Sequence, residues 1–371
     1  MDHPEKEKNN GKPRILVAPL DWGLGHATRC IPLIRELLLQ GAAPILAGEA
    51  AQEFLLRSEF PQLSFISLPG YRIKYAKTAP GLTWKMILQA SRIKKAINDE
   101  QKWLQQKVKE WSIDAVISDN RYGLYHDKIP SVFITHQLNI KTPWGKWADK
   151  ILQKRNYRYI ERFQSCWIPD HRDEPSLGGE LSHPGKIPQV PIEYIGPLSR
   201  FEKINTDTTS EELLIILSGP EPQRSILENK IIRDVAHYNG IATIVRGLPG
   251  HASFIPSSNM IRFYNHLPAS ELQSLIPKAG FIISRSGYST IMDMLPLHKK
   301  CIFIPTPGQT EQNYLGKHLA NKKLALTFSQ ENFSLTSALE KASQFNYTFD
   351  ELPKADDQLM KIAVQKLLAM A

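Results

Sequence analysis

The sequence predicts an α/β protein built as two consecutive doubly wound, Rossmann-like halves facing a central cleft. Three observations lead there. The chain has 371 residues, more than one ordinary hydrophobic core organises, so about two domains are expected. Short apolar runs alternate with stretches of helical periodicity, the pattern of a parallel sheet with helices on both faces. That alternation occurs twice, with a polar, turn-rich passage over 170–189 and a linker at 196–212 between the two series.

The first half, 14–195, opens with a strand at Arg14–Pro19, a glycine-containing turn at 20–26 and an amphipathic helix from Ala27 to about Gln40, which Gly41 ends. Further apolar runs at 44–47, 64–68, 115–118, 132–135 and 166–169 read as strands separated by helices. The second half, 213–350, repeats the pattern with runs at 213–217, 242–246, 261–264, 280–284, 301–305 and 324–328. A last helix over 353–371 has no strand after it and is expected to pack back on the first half. Ligands of such folds sit at the carboxyl ends of the strands, here in the cleft between halves.

Hydrophobic residues at 42% and charged residues at 22% are globular values, which argue against disorder or fibre. No apolar run approaches the ~18 residues that would span a bilayer, and the polar N-terminus lacks a signal-peptide core. Three widely spaced cysteines, Cys30, Cys166 and Cys301, suit neither a disulfide framework nor a zinc cluster, so a cytoplasmic location is expected. The net charge of +9 resides in two segments: 82–112 with seven basic and three acidic side chains, and 141–162 with seven and two. Both have helical spacing, with Trp84, Ile87 and Leu88, then Ile97, Leu104, Val108 and Trp111, and later Trp144, Trp147 and Ile151. One reading is a basic, tryptophan-bearing face resting on anionic lipid, peripheral on the inner face of the plasma membrane. The other is a pair of packing helices with solvated lysines. No nucleic-acid-binding motif accompanies the charge, and a nucleic-acid partner is not expected.

Chemistry-bearing residues cluster where strands end. Gly23-Leu24-Gly25-His26 lies between the first strand and its helix, where glycine lets a ligand approach the backbone. A dinucleotide fingerprint would have a third glycine at position 28; Thr28 stands there, although Glu49 lies near the place of an acidic ribose ligand. His26 at a helix N-terminus, its proton affinity lowered by the dipole, suits a general base; a capping or core histidine is the alternative. Asp119, at the end of the 115–118 strand, either orients His26 or merely shapes a turn before Asn120. In the second half, Ser218-Gly219 follows a strand and precedes a helix. So do Ser284-Arg285-Ser286-Gly287-Tyr288-Ser289-Thr290, with Asp293 one turn on, and Thr306-Pro307-Gly308-Gln309-Thr310-Glu311-Gln312. Three polar helix starts on one sheet edge suit a diphosphate.

At these residues the second half resembles glycosyltransferase family 28, of the GT-B superfamily, the family that includes the enzyme adding N-acetylglucosamine to lipid I. The likeness covers about 213–326 well and 23–32 in outline. It implies the two-lobed GT-B fold, inverting and metal-independent chemistry without a cofactor, and a nucleotide-sugar donor, UDP-linked, held by the second lobe. It implies that Ser218 and Gly219 lie beside the diphosphate and that His266 and Leu267 meet the base with backbone groups. By the same likeness Ser286, Gly287, Ser289 and Thr290 face phosphate, and Asp293 stands where the family has a ribose-binding glutamate. Thr310, Glu311 and Gln312 read the donor sugar, and Gly25 with His26 matches the first-lobe loop. Two departures leave the donor sugar open: one G-x-G replaces a richer glycine loop, and Leu315-Gly316 replaces the usual Asn-Ala. The stretch from Gly25-His26 to Arg29-Cys30 is also similar to the sugar-nucleotide hydrolase of pseudaminic acid synthesis, which shares the fold and uses water as acceptor.

The expected mechanism is therefore attack by an acceptor hydroxyl deprotonated by His26, with UDP leaving toward 286–290 and Arg200 or Arg246 helping to meet its charge. Asp170 and Asp173 are the nearest approach to a metal motif and read as a polar loop.

Overall fold

The computed structural model describes residues 11–71, 79–142, 144–202, 211–249, 253, 255–353 and 357–371, with backbone only over 79–90 and at 357. The first lobe carries strands β1 (Arg14–Pro19), β2 (Ala43–Gly48), β3 (Phe65–Ser67), β4 (Ala115–Asp119), β5 (Ser131–Ile134), β6 (Ser165–Ile168) and β7 (Ile192–Tyr194). Their order in the sheet is β3-β2-β1-β4-β5-β6-β7, and every pairing is parallel. The second lobe has β8 (Glu212–Ile216), β9 (Ala242–Val245), β10 (Ile261–Tyr264), β11 (Ala279–Ser284), β12 (Cys301–Phe303) and β13 (Ala325–Thr327), ordered β10-β9-β8-β11-β12-β13 and again parallel throughout. Both orders reverse at the first strand, which makes each lobe doubly wound.

The strands are apolar on both faces because both faces are covered. In β1, Ile15 and Val17 enter one buried cluster while Leu16 and Ala18 enter another on the opposite face. In β8, Leu214 and Ile216 join the cluster that runs between the lobes, and Leu213 and Ile215 the one behind the second sheet.

The helices are α1 (Gly25–Leu39), α2 (Ala50–Glu59), α3 (Ala79–Trp111), α4 (Lys146–Ile160), α5 (Gln223–Val235), α6 (Ala269–Leu275), α7 (Tyr288–Met294), α8 (Thr310–Asn321), α9 (Leu335–Gln344) and α10 (Asp357–Met370). Alpha-helix α1 buries Ala27, Cys30, Ile31, Leu33, Ile34 and Leu37, and these share one cluster with Ile291 and Met292 of α7 in the other lobe. Helix α10 places Ala363, Val364 and Leu367 in the same cluster and meets α1 where Gln40 donates to the Lys361 carbonyl at 3.0 Å. Lys366 of α10 pairs with Glu193 of β7 at 2.7 Å.

The two basic segments differ. In the described part of α3, Ile97 and Leu104 are buried and Trp103, Val108 and Trp111 pack on the core beneath, so this length is a packing helix. Trp84, Ile87 and Leu88 lie outside the residues whose side chains are described. In α4 the buried residues are Ala148, Asn156, Tyr157 and Ile160, and Trp147 is 73% exposed on the other side with Ile151. Trp144, just before α4, is exposed as well. No helix among the described residues is long and apolar enough to cross a membrane.

Candidate active site

The strand order places the ends of β1, β4 and β5 side by side, with Pro19 level with Asp119 and Asp119 level with Ile134. After β1 the chain turns through Gly23, whose φ of +75° is a left-handed conformation that glycine adopts without strain. It then enters α1, so that His26 and Arg29, one turn apart, look across at Asp119. His26 Nδ1 is 3.0 Å from Asp119 Oδ2, and Arg29 Nε donates to the same oxygen at 2.9 Å. Arg29 Nη2 donates to Asp119 Oδ1 and lies 2.9 Å from His26 Nδ1. Asp119 is wholly buried, and burial alone would raise its pKa; the Arg29 charge and then His26 outweigh that and hold it at about 2. An ionised Asp119 beside Nδ1 favours the tautomer with hydrogen on Nδ1, which leaves the Nε2 lone pair free. His26 has its pKa lowered below the imidazole value, chiefly by burial, with Asp119 opposing and Arg29 reinforcing the shift. The neutral ring expected from the helix dipole is thus obtained mainly from desolvation.

His136 follows β5 by two residues and joins this cluster to the other lobe. Its Nδ1 is 3.1 Å from Arg29 Nη1 and its Nε2 is 2.7 Å from Glu311 Oε1. The ring stacks on Tyr288 with centroids 4.0 Å apart and planes 5° apart, and the Tyr288 hydroxyl donates to the Pro169 carbonyl. Burial raises the Glu311 carboxyl, but His136 beside it wins and its pKa is lowered. Other contacts cross the same cleft. Ser289 Oγ donates to the Gly25 carbonyl at 2.7 Å, Thr310 Oγ1 to the Lys141 carbonyl at 2.7 Å, and the Glu180 amide to the Tyr314 hydroxyl at 2.8 Å.

On the second-lobe edge, Gln312 accepts from the Thr306 amide at 2.8 Å, and its carbonyl accepts from Ser286 Oγ at 2.9 Å, fixing the start of α8 against the end of β11. Ser218 and Gly219 are exposed at the end of β8, and Gly287 and Thr290 are half-buried. His266 is half-buried, its ring edge-on to Phe54 of α2 at 6.3 Å, and Leu267 is buried in the core. Burial lowers the His266 pKa, with Arg200 adding to the effect.

Eight of the seventeen residues expected at the site gather along the cleft: Gly25, His26, Asp119, Ser286, Ser289, Thr310, Glu311 and Gln312. Three do not serve as expected. Asp293 is 3% exposed and both its oxygens are taken by the linker, Oδ1 by the Arg200 amide and Oδ2 by Arg200 Nε, each at 3.1 Å, so it is not offered to a ribose. Arg200 is for the same reason neutralised by a carboxylate. Arg246 pairs with Glu228 at 2.6 Å and donates to Asn265 Oδ1 at 2.6 Å, so it too is already compensated. Helix α7, at seven residues, is also too short to bring a full helix dipole to Ser286–Thr290. Arg29 and His136 were not anticipated as site residues. His136 carried a usable signal, since it lies as close behind a strand end as Asp119 does; Arg29 shows only as the residue one helical turn beyond His26. Asp170 accepts from the amides of His171, Leu177 and Gly178 at 2.8–2.9 Å and from Ser182 Oγ, which makes it the organiser of its loop.

Residues 260–365 match the glycosyltransferase family 28 C-terminal domain. The chain is 22% identical over 333 residues, 85% of each chain, to the UDP-N-acetylglucosamine--N-acetylmuramyl-(pentapeptide) pyrophosphoryl-undecaprenol N-acetylglucosamine transferase of Haemophilus ducreyi. It is 23% identical over 81% of each chain to an uncharacterized glycosyltransferase of Methanosarcina mazei. Among solved structures, the glycosyltransferase of kitacinnamycin superposes with a TM-score of 0.59 at 13% identity, covering 97% of this chain and 95% of its own. The two Rossmann-like lobes are thus the GT-B arrangement.

Proposed function

We propose that this glycosyltransferase, with its family 28 second lobe, moves a sugar from a UDP-linked donor to a lipid-linked acceptor, with inversion at the anomeric carbon and without a metal ion. The observation that carries the reading is the His26–Asp119 pair at the cleft, joined through Arg29 and His136 to Glu311 of the opposite lobe. In this reading the Nε2 lone pair of His26 takes the proton of the acceptor hydroxyl as its oxygen bonds to the anomeric carbon. The bond from that carbon to the phosphate oxygen breaks on the opposite face, and UDP leaves with the bonding pair. Asp119 holds the Nδ1–H tautomer and stabilises the imidazolium that forms. The loops at Ser218-Gly219 and 286–290 receive the diphosphate, and Glu311 with Gln312 meets the sugar hydroxyls. Because Glu311 and Ser289 already bond to first-lobe groups across the cleft, a bound donor replaces those contacts, while the Thr310–Lys141 and Tyr314–Glu180 bonds beside them keep the lobes drawn together.

The UDP donor is supported by the name of the Haemophilus ducreyi relative, which acts on an undecaprenol-linked acceptor. A lipid-linked acceptor is also supported by α4, where exposed Trp144, Trp147 and Ile151 stand among Lys146, Lys150 and Lys154, the composition of an interfacial helix. A peripheral position on the cytoplasmic face of the membrane follows from the same reading. The test is UDP release from a panel of UDP-sugars with and without a polyprenyl-diphosphate-linked acceptor. Acceptor-dependent release supports the proposal, and acceptor-independent release at the same rate overturns it.

A further inference from the structure

The ends of three neighbouring strands of the second sheet, β8, β11 and β12, lead into Ser218-Gly219, Arg285 and Thr306. Arg285 is 1% exposed and four of its five N–H donors are occupied. Nη1 donates to the carbonyls of Ile304 at 3.1 Å and Pro305 at 3.3 Å, and Nη2 to the Gln223 carbonyl at 2.7 Å and Gln330 Oε1 at 2.6 Å. The fifth, on Nε, is buried with no partner, and so is Thr306 Oγ1, on a residue also 1% exposed. Among the described residues no carboxylate pairs with Arg285, whereas the other buried arginines of this lobe, Arg224 and Arg246, share Glu228. Burial lowers the Arg285 pKa to about 10, so the side chain remains a cation at neutral pH.

Both orphaned atoms border one spot. Gly219 has φ +105° and no side chain, and a Cβ placed on it would lie 3.5 Å from Thr306 Oγ1 and 3.9 Å from Arg285 Nε, with no other contact within 4 Å. A buried donor without an acceptor is unfavourable, and a buried cation without an anion more so. We propose that Arg285 Nε and Thr306 Oγ1 form an anion-binding pair that takes a phosphate oxygen of the donor's diphosphate when the Ser218-Gly219 loop shifts to admit it. The pair supplies the compensation that Arg200 and Arg246, already bonded to carboxylates, do not. This inference rests on the nucleotide-sugar reading above and adds to it the residues that neutralise the leaving group.

The test compares the affinities of UDP, inorganic pyrophosphate and uridine for the wild-type chain and for Thr306→Val, which keeps the shape and removes the hydroxyl. UDP and pyrophosphate should each weaken about tenfold, the loss of one hydrogen bond to a charged group, while uridine binding stays as it was. Because the hydroxyl has no partner, the unliganded variant should melt no lower than wild type. Arg285→Lys, which lacks the Nε donor, should show the same selective loss if it folds. Unchanged UDP and pyrophosphate affinity in Thr306→Val, or an equal loss for uridine, overturns the anion pair while leaving the donor reading intact. A wild-type chain that binds neither UDP nor pyrophosphate overturns both.

Discussion

The two lobes are built on the same parallel scheme, and each brings three adjacent strand ends to the cleft, yet they treat charge in opposite ways. In the first lobe the middle strand of the three, β4, ends in Asp119, an anion whose oxygens are filled by Arg29 and His26. In the second lobe the middle strand, β11, is followed by Arg285, a cation with one donor left open and no described carboxylate beside it. The first arrangement is complete without a ligand and holds a carboxylate against the Nδ1 edge of the imidazole, which is the preorganisation a base needs before substrate arrives. The second is incomplete and becomes satisfied when an anion enters. The two edges thus differ less in fold than in whether the charged group at the middle strand is satisfied internally.

The strongest way to break this comparison is to remove the base. His26→Ala should lower kcat with a working donor by about 100-fold or more, the usual cost of losing a positioned base, while UDP affinity is retained. Wild-type turnover in this variant would end the assignment of His26. Asp119→Ala should strike stability instead, because it leaves the Arg29 guanidinium buried without its anion. A loss of about 3–5 kcal/mol in denaturant unfolding is expected, and a loss below 1 kcal/mol would mean that the cluster is not pre-satisfied.

The pH dependence sharpens the same contrast. Asp119 has a folded pKa of about 2 against an ordinary 3.8, so its stabilisation is complete above the ordinary carboxyl range and is lost as pH falls from about 4 to about 2. This is worth roughly 2 kcal/mol. His26, with its pKa lowered, stays neutral in the fold at pH values where the unfolded chain already takes up the proton, so it too favours unfolding as pH falls below 6.5. For the same reason the acidic limb of kcat/KM should lie below 6.5; a limb above 6.5 would exclude His26 as the titrating base.

Much of this was legible in the sequence. Strands β1 and β10 begin and end where the apolar runs do, and both sheets follow from apolar runs separated by helical stretches, because strands covered on both faces must be apolar throughout. The meeting of His26, Asp119 and Glu311 was legible in part: Asp119 from its strand-end position, His26 from the glycine turn that opens a helix, and Glu311 from the helix start after β12 and the family resemblance. The pairing of Asp293 with Arg200 was not, since a buried carboxylate in a linker contact and one facing a ribose have the same local sequence. Strand β7 was missed because its three residues, Ile192–Tyr194, are too few to show a period. In α4, Trp147 and Ile151 repeat at helical spacing like core residues, and only the position of Ala148, Tyr157 and Ile160 against the lobe reveals that they face outward.

A smaller effect is expected at that outward face. Trp147→Ala combined with Lys150→Glu should weaken co-sedimentation with vesicles containing anionic lipid by about tenfold, through lost aromatic burial and reversed charge, and leave turnover of a water-soluble acceptor unchanged. Binding indifferent to anionic lipid in the wild-type chain would remove the membrane from the proposal.

The smallest effect concerns water as a competing acceptor. A base that deprotonates a sugar hydroxyl also activates water. What separates the two outcomes is the cleft: Thr310 and Tyr314 are drawn against first-lobe groups, which favours exclusion of bulk water around the anomeric carbon. With donor alone, free sugar should therefore appear only as a slow background, and loosening the closure with Thr310→Ala, which removes the bond to the Lys141 carbonyl, should raise that background a few-fold relative to transfer. Donor hydrolysis as fast as transfer in the wild-type chain would mean that the closed cleft does not shut water out.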